Sequence, residues 1–229
     1  MHNDGGGCCG GKGKGSAGGC CKDATGRPKL GCVPTHEEFR AMGLPELVRR
    51  FRRGVENLDR RGFDLEEEQL DQAFLPDAGI GRWPIRVVLG HIADADMVAV
   101  HRMRRIVAED NPVLAEWDEN AFVDQNLYGV GQGMAGGGVV GALVAAIHVL
   151  RQWGGMWVAG LSDAQLARTG MHPSRGPQSV LDILAYYTWH MEHHAAYINA
   201  KVERFLGEEA PEPAEAKAGG CGGGGCGCH

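Results

Sequence analysis

Residues 179–206 read SVLDILAYYTWHMEHHAAYINAKVERFL. Leu181, Leu184, Thr188, Met191, Ala195, Ile198, Val202 and Phe205 recur at steps of three and four, which marks one helical face turned toward a core. Ser179 stands where an N-cap is needed, its side-chain oxygen available to backbone N–H groups of the first turn. His190 and His194 are four residues apart, so they project from one side of this helix, at the edge of the apolar stripe. Two imidazoles at that spacing can share a metal ion; the same spacing also suits a solvated or hydrogen-bonded face. The zincin arrangement is excluded, because Glu192 falls one position late and points away from the two histidines.

Three more helices are predicted upstream. Pro45 suits a first helical position, Leu47, Val48, Phe51, Val55 and Leu58 follow it, and Gly62 fits the stop. Trp83-Pro84 opens a longer helix with the stripe Ile85, Val88, Leu89, Ile92, Ala95, Ala99, Met103 and Ile106, ended by Asn111-Pro112. His91 lies at the edge of that stripe, and neither this helix nor the last holds the Glu-x-x-His pair of a di-iron bundle. A third helix, from about Val139 to Trp157, is apolar nearly all round, which predicts a central position. Between the second and third helices, Asn111 to Gly138 reads as a long irregular connection, of the kind that is usually functional or mobile. No run alternates with period two, so no strand is expected. The reading is all-α: a four-helix bundle over residues 35–206.

The flanks differ in kind from this body. All eight cysteines, and 19 of the 37 glycines, lie in residues 1–34 or 207–229, and both tails are expected to be disordered. A body without cysteine excludes a disulfide scaffold and a cysteine nucleophile. The net charge of −6 falls on the body, which argues against nucleic acid as a partner. The chain starts without an apolar signal region, and the stretch Val139 to Leu150 is short for a bilayer, so a cytoplasmic protein with no membrane partner is expected.

In its order of motifs the chain resembles the DinB/YfiT-like superfamily, and within it the YfiT-type metal-dependent hydrolases. The resemblance covers about residues 45–206. It rests on Trp83-Pro84-Ile85-Arg86 through His91-Ile92-Ala93-Asp94, then Glu109-Asp110-Asn111-Pro112, Trp117-Asp118-Glu119, His172-Pro173, and Tyr187-Thr188-Trp189-His190 with His194. It implies a four-helix bundle, often a homodimer, with one divalent metal ion held by His91, His190 and His194. It also implies an activity among thiol-dependent S-transfer, thiol-dependent isomerisation and hydrolysis. Three imidazoles with open positions suit Zn2+, Ni2+ and Fe2+ alike and lower the pKa of a bound water or thiol. The expected partner is a small electrophilic substrate, with a low-molecular-weight thiol as the other candidate reactant.

Around that set, Asp94 is one turn from His91 and is expected to orient its free ring nitrogen. Glu119 is the candidate general base, and His172, in the loop before the last helix, reads either as a residue of the site mouth or as a loop histidine without a catalytic role. His101 and His148 read as structural, His193 as a surface or interface residue, and Tyr186, Tyr187, Trp189 and Tyr197 as core, dimer or pocket residues. The rival reading is a non-catalytic metal-binding or buffering protein, in which Cys8-Cys9, Cys20-Cys21 and Cys226-x-Cys228-His229 supply soft ligands.

Overall fold

Thr35 starts the folded body with a reciprocal cap: its hydroxyl accepts from the Glu38 N–H while the Glu38 carboxylate accepts from the Thr35 N–H, opening α1 (His36–Arg40). α2 (Leu44–Arg52) follows with Pro45 in its first turn. The chain then passes through two 3-10 turns, Gly54–Asn57 and Arg60–Asp64, and α3 (Glu67–Leu70) to α4 (Ile85–Ala108). After α5 (Glu119–Asp124) come α6 (Gly136–Ala159) and α7 (Asp163–Leu166). The strands β1 (Thr169–His172) and β2 (Gly176–Ser179) lead into α8 (Val180–Leu206). The computed structural model describes residues 26–73, 75, 80–132 and 136–207, without the side chains of 136–138.

α2, α4, α6 and α8 form the bundle: α4 packs against α6 and α8, and α2 packs against the same two helices. Two apolar clusters fill it end to end. One gathers Phe39, Phe51, Ala99, Met103, Ile106 and Leu184; the other gathers Leu70, Ile85, Ile92, Met191, Ala195 and Val202. The change from one to the other falls between Ala93 and Ala95 on α4 and between Tyr187 and Met191 on α8.

A buried ion pair sits at this junction. Arg151 of α6 donates to both carboxylate oxygens of Asp96 of α4, at 2.6 and 2.8 Å, and both side chains are fully buried. The same guanidinium donates to the Tyr187 carbonyl of α8 at 2.8 Å and to the Phe51 carbonyl of α2 at 3.4 Å. One side chain therefore bonds to all three other bundle helices. α2 ends at Arg52 rather than continuing to Gly62, and the 3-10 turn that follows passes directly over Arg151: a Cβ on Gly54 would lie 2.8 Å from that side chain, and glycine makes room for it.

Four expectations are corrected. α6 is not central; Val149, Trp153 and Met156 are exposed along its outer face. Its segment Val139–Ala159 is, by length and composition alone, apolar enough to span a bilayer, but the buried Ile147 and Arg151 tie it to the bundle. A two-stranded antiparallel hairpin does form, pairing Thr169 with Ser179 and His172 with Gly176. Four-residue strands interrupted by Pro177 are too short to show alternation. The supposedly irregular connection contains α5, capped by the Asp118 carboxylate, which accepts from the Asn120 and Ala121 N–H groups. Finally, the described part of the first tail, residues 26–34, meets the body through an Arg27–Asp59 ion pair at 3.2 Å. Residues 1–25 and 208–229 lie outside the described residues.

Removing one member of the Asp96–Arg151 pair leaves a charge stranded in the core, at a cost of about 3–5 kcal/mol. Asp96→Leu and Arg151→Met are each expected to lose that much in urea denaturation, and the double variant to recover most of it. Additive losses in the double variant would contradict this reading.

Candidate metal centre

His91 enters the bundle junction from α4, and His190 and His194 enter from α8. Their Nε2 atoms converge: His91 to His190 is 2.9 Å, His194 to His190 is 3.1 Å, and all three ligand atoms lie within 4.8 Å of one another. His91 and His190 are buried, and His194 is partly exposed. Aromatic rings wall the cluster. Trp117 stacks on His91 at 5.3 Å and an interplanar angle of 19°, Trp83 meets His91 edge-on at 5.1 Å, and Tyr186 stacks on His190 at 5.8 Å.

This setting keeps the rings neutral. Burial pushes the His91 pKa down to about 4. Burial, reinforced by His194, His91 and the Arg151 guanidinium, holds His190 well below the ordinary histidine range. Burial does the same to His194, helped by His91 and His193. Three neutral imidazoles facing one another cannot all satisfy their Nε2 lone pairs by hydrogen bonding among themselves. A cation placed among them would, so the donor set fits a divalent ion. The Nδ1 atoms of His91 and His190 have no acceptor among the described residues.

That last fact corrects the role expected of Asp94. Its carboxylate does not reach His91; it accepts from the Tyr128 hydroxyl at 2.8 Å. Tyr128 packs over Gly90, where a Cβ would lie 2.2 Å from its ring, so the glycine beside His91 makes room for an aromatic that claims Asp94. Burial raises the Asp94 pKa, and the Tyr128 hydrogen bond offsets part of that rise.

A pocket of about 360 Å³ opens beside His190. Glu119, the expected base, lines it, as does His172. His172 is carried there by the hairpin, which docks onto the segment after α4. Leu114 N–H donates to the Met171 carbonyl and Met171 N–H to the Pro112 carbonyl, both at 2.8 Å. The contact is close because residue 170 is glycine; a Cβ there would lie 3.0 Å from the Pro112 carbonyl oxygen. Ser174 N–H donates to His172 Nδ1 at 3.3 Å. Trp117, Tyr186 and Tyr187 complete the aromatic lining. His193 lies between Trp189 and Tyr197 on the helix flank, at 5.0 and 5.1 Å. His101 and His148 are exposed, not packed as expected.

Residues 50–198, a span that holds all three histidines and Arg151, match the DinB superfamily. The chain belongs to that superfamily. It is 30% identical over 141 residues to an Oceanobacillus iheyensis protein named "Putative metal-dependent hydrolase", covering 62% of this chain and 75% of that one. A Bacillus mycoides protein of the same name is 27% identical over 144 residues, with the same coverage. Among solved structures, YfiT from Bacillus subtilis superposes with a TM-score of 0.61 at 21% identity, over 80% of this chain and 96% of that one. It is described as a "probable metal-dependent hydrolase with an unusual four-helix bundle topology", and the likeness shows that this DinB superfamily chain shares its fold.

Sequence reading missed the placement of four residues. Trp83 and Trp117 were visible in the motifs, but nothing in spacing says that both face His91. Arg151 was hidden in an apolar helix. Arg102 lines the pocket. It stands 11 residues after His91, three helical turns, so the same-face arithmetic could have found it.

The neutral histidines predict a pH dependence of stability in metal-free protein. The unfolded chain takes up protons near pH 6.5 while folded His91 does so only near 4, so the unfolded state binds more protons in that window. Stability is therefore fully present above about pH 6.5 and is lost as the pH falls toward 4, His91 alone contributing roughly 3 kcal/mol. In urea denaturation at successive pH values, His91→Leu is expected to show a shallower fall than wild type; parallel curves would contradict this.

Proposed function

We propose that the chain is a metal-dependent enzyme in which His91, His190 and His194 hold one divalent ion and a small electrophilic substrate reacts in the adjoining pocket. The convergence of three neutral Nε2 atoms at the end of a pocket carries this reading. The names of the superfamily relatives support it. A divalent ion there supplies Lewis acidity that makes water, or a low-molecular-weight thiol, nucleophilic at neutral pH.

The chain's own residues do the rest. Trp83 and Trp117 shield His91 from water and hold its ring plane. Tyr186 does the same for His190. Glu119, at the start of α5 and on the pocket wall, takes the proton from the nucleophile, and the short helix capped by Asp118 fixes its position. No cysteine is needed in the body, which agrees with the cysteine-free span 35–206. Zn2+, Ni2+ and Fe2+ are the candidate ions. The exposed apolar stripe of Val149, Trp153 and Met156 on α6 supports assembly as a homodimer, and a cytoplasmic location is part of the same proposal.

Elemental analysis of the full chain beside His190→Ala tests the metal. The variant is expected to bind one equivalent less, and equal contents would overturn the assignment. Hydrolysis of p-nitrophenyl acetate and conjugation of cysteine to 1-chloro-2,4-dinitrobenzene then separate the two nucleophiles. Glu119→Gln is expected to keep the metal and lose about 100-fold or more in kcat for whichever reaction is found. Unchanged kcat would remove Glu119 from the mechanism.

A further inference from the structure

Three arginines are buried in the described part of the chain: Arg86, Arg102 and Arg151. Arg86 pairs with Asp71 and Arg151 with Asp96, each at 2.6 Å. No described carboxylate pairs with Arg102. Its terminal nitrogens donate to the Tyr187 hydroxyl at 3.2 Å and the Ala115 carbonyl at 2.5 Å, and its Nε has no acceptor. Both partners are neutral, so a guanidinium only 6% exposed has given up its hydration without gaining a counter-charge. A guanidinium carries five N–H donors in a fixed fork, and two of these meet the partners named.

Arg102 lines the same pocket as His190. Ala95, one helical turn past His91, borders that pocket too and contributes only a methyl group. The acidic residues of the lining are less buried than Arg102. Glu116 and Asp118 are exposed, Asp118 is committed to capping α5, and Glu119 is partly exposed. Arg175, also exposed, lies over Tyr186 at 4.7 Å at the rim. The lining carboxylates therefore all keep some contact with water, whereas the buried charge of the lining is a guanidinium without a described carboxylate partner.

Resting on the metal-centre reading above, we propose that the substrate held in this pocket carries a carboxylate and that Arg102 is the residue that pairs with it and selects for it. The fork of a guanidinium matches the two oxygens of a carboxylate, and a site built to pair with a charge rejects the neutral analogue. The carboxylate belongs either to the electrophile or to the thiol; the chemistry recognised is the same.

The test is titration calorimetry on metal-free full-length protein with succinate and with its neutral analogue succinamide, so that no metal ion can bind the carboxylate. Succinate is expected to bind at least about tenfold more tightly than succinamide, and Arg102→Gln to abolish that preference. Equal affinities, no succinate binding by wild type, or an undiminished preference in Arg102→Gln would each overturn the proposal. If Arg102→Gln does not fold, Arg102→Lys keeps the charge without the fork. Weakened succinate binding there supports the proposal, and wild-type affinity overturns it. Metal content of the same variants separates the two claims. Full metal with lost succinate binding assigns the pocket to Arg102 independently of the triad, and retained succinate preference with no metal in wild type fails the metal reading alone. Once Arg102 dependence is shown, Co2+-loaded protein distinguishes the sources. Preference for 3-mercaptopropionate over 2-mercaptoethanol places the carboxylate on the thiol, equal affinity places it on the electrophile, and either agrees with the proposal.

Discussion

The Arg151 guanidinium is the point at which the four bundle helices are tied together. It is anchored in α6, neutralised by Asp96 of α4, and hydrogen-bonded to backbone carbonyls of α8 and α2. Apolar packing sets no strong preference for helix register, because hydrophobic attraction is non-directional. A planar charge with four acceptors in fixed places does set one. Fixing α4 against α8 at this level also brings His91 level with His190 and His194, since Asp96 lies little more than one turn beyond His91 and Tyr187 just under one turn before His190. The centre and the ion pair share a junction between two apolar clusters, and the positive guanidinium helps to keep His190 neutral.

The same junction explains why the centre is walled with aromatics. A polar cluster in the middle of a bundle must be shielded where it approaches the surface, and here Trp117 and Tyr186 stack on the imidazoles of His91 and His190 while Trp83 meets His91 edge-on. Trp83 precedes α4 and Trp117 precedes α5, so the connections close the site while the long helices hold the ligands. The hairpin brings His172 and Arg175 to the pocket lining and is held to the segment after α4 through the Gly170 contact. Rigid helices carrying the nitrogens and shorter segments shaping the mouth form a division of labour suited to changing substrates without disturbing the centre.

Much of this was legible in the sequence. α4 and α8 were readable because their stripes run at helical period for more than five turns, and the three histidines were legible from the order of motifs, with spacing supplying two of them. α6 was misread as central because a helix apolar all round gives no direction, and its exposed Val149, Trp153 and Met156 break the rule that such helices are buried. The hairpin was too short for periodicity to register. Asp94 was misassigned because one-turn spacing from His91 says that two side chains share a face, not that they bond. Tyr128, 34 residues away, decides the matter, and only the folded chain brings it there. The pairing of the arginines was illegible for the same reason: spacing from His91 could point to Arg102, but only the folded chain shows that Arg86 and Arg151 meet carboxylates and Arg102 does not.

The central claim is that three nitrogens from two helices meet on one metal ion at the bundle junction. The most direct measurement is an anomalous difference map from crystals of metal-loaded protein, collected above and below the absorption edge of the ion. A single peak is expected among the Nε2 atoms of His91, His190 and His194, the residues that would hold the ion. A well-ordered His91–His190–His194 cluster with no peak, or ordered metal elsewhere in the chain and none there, would contradict it.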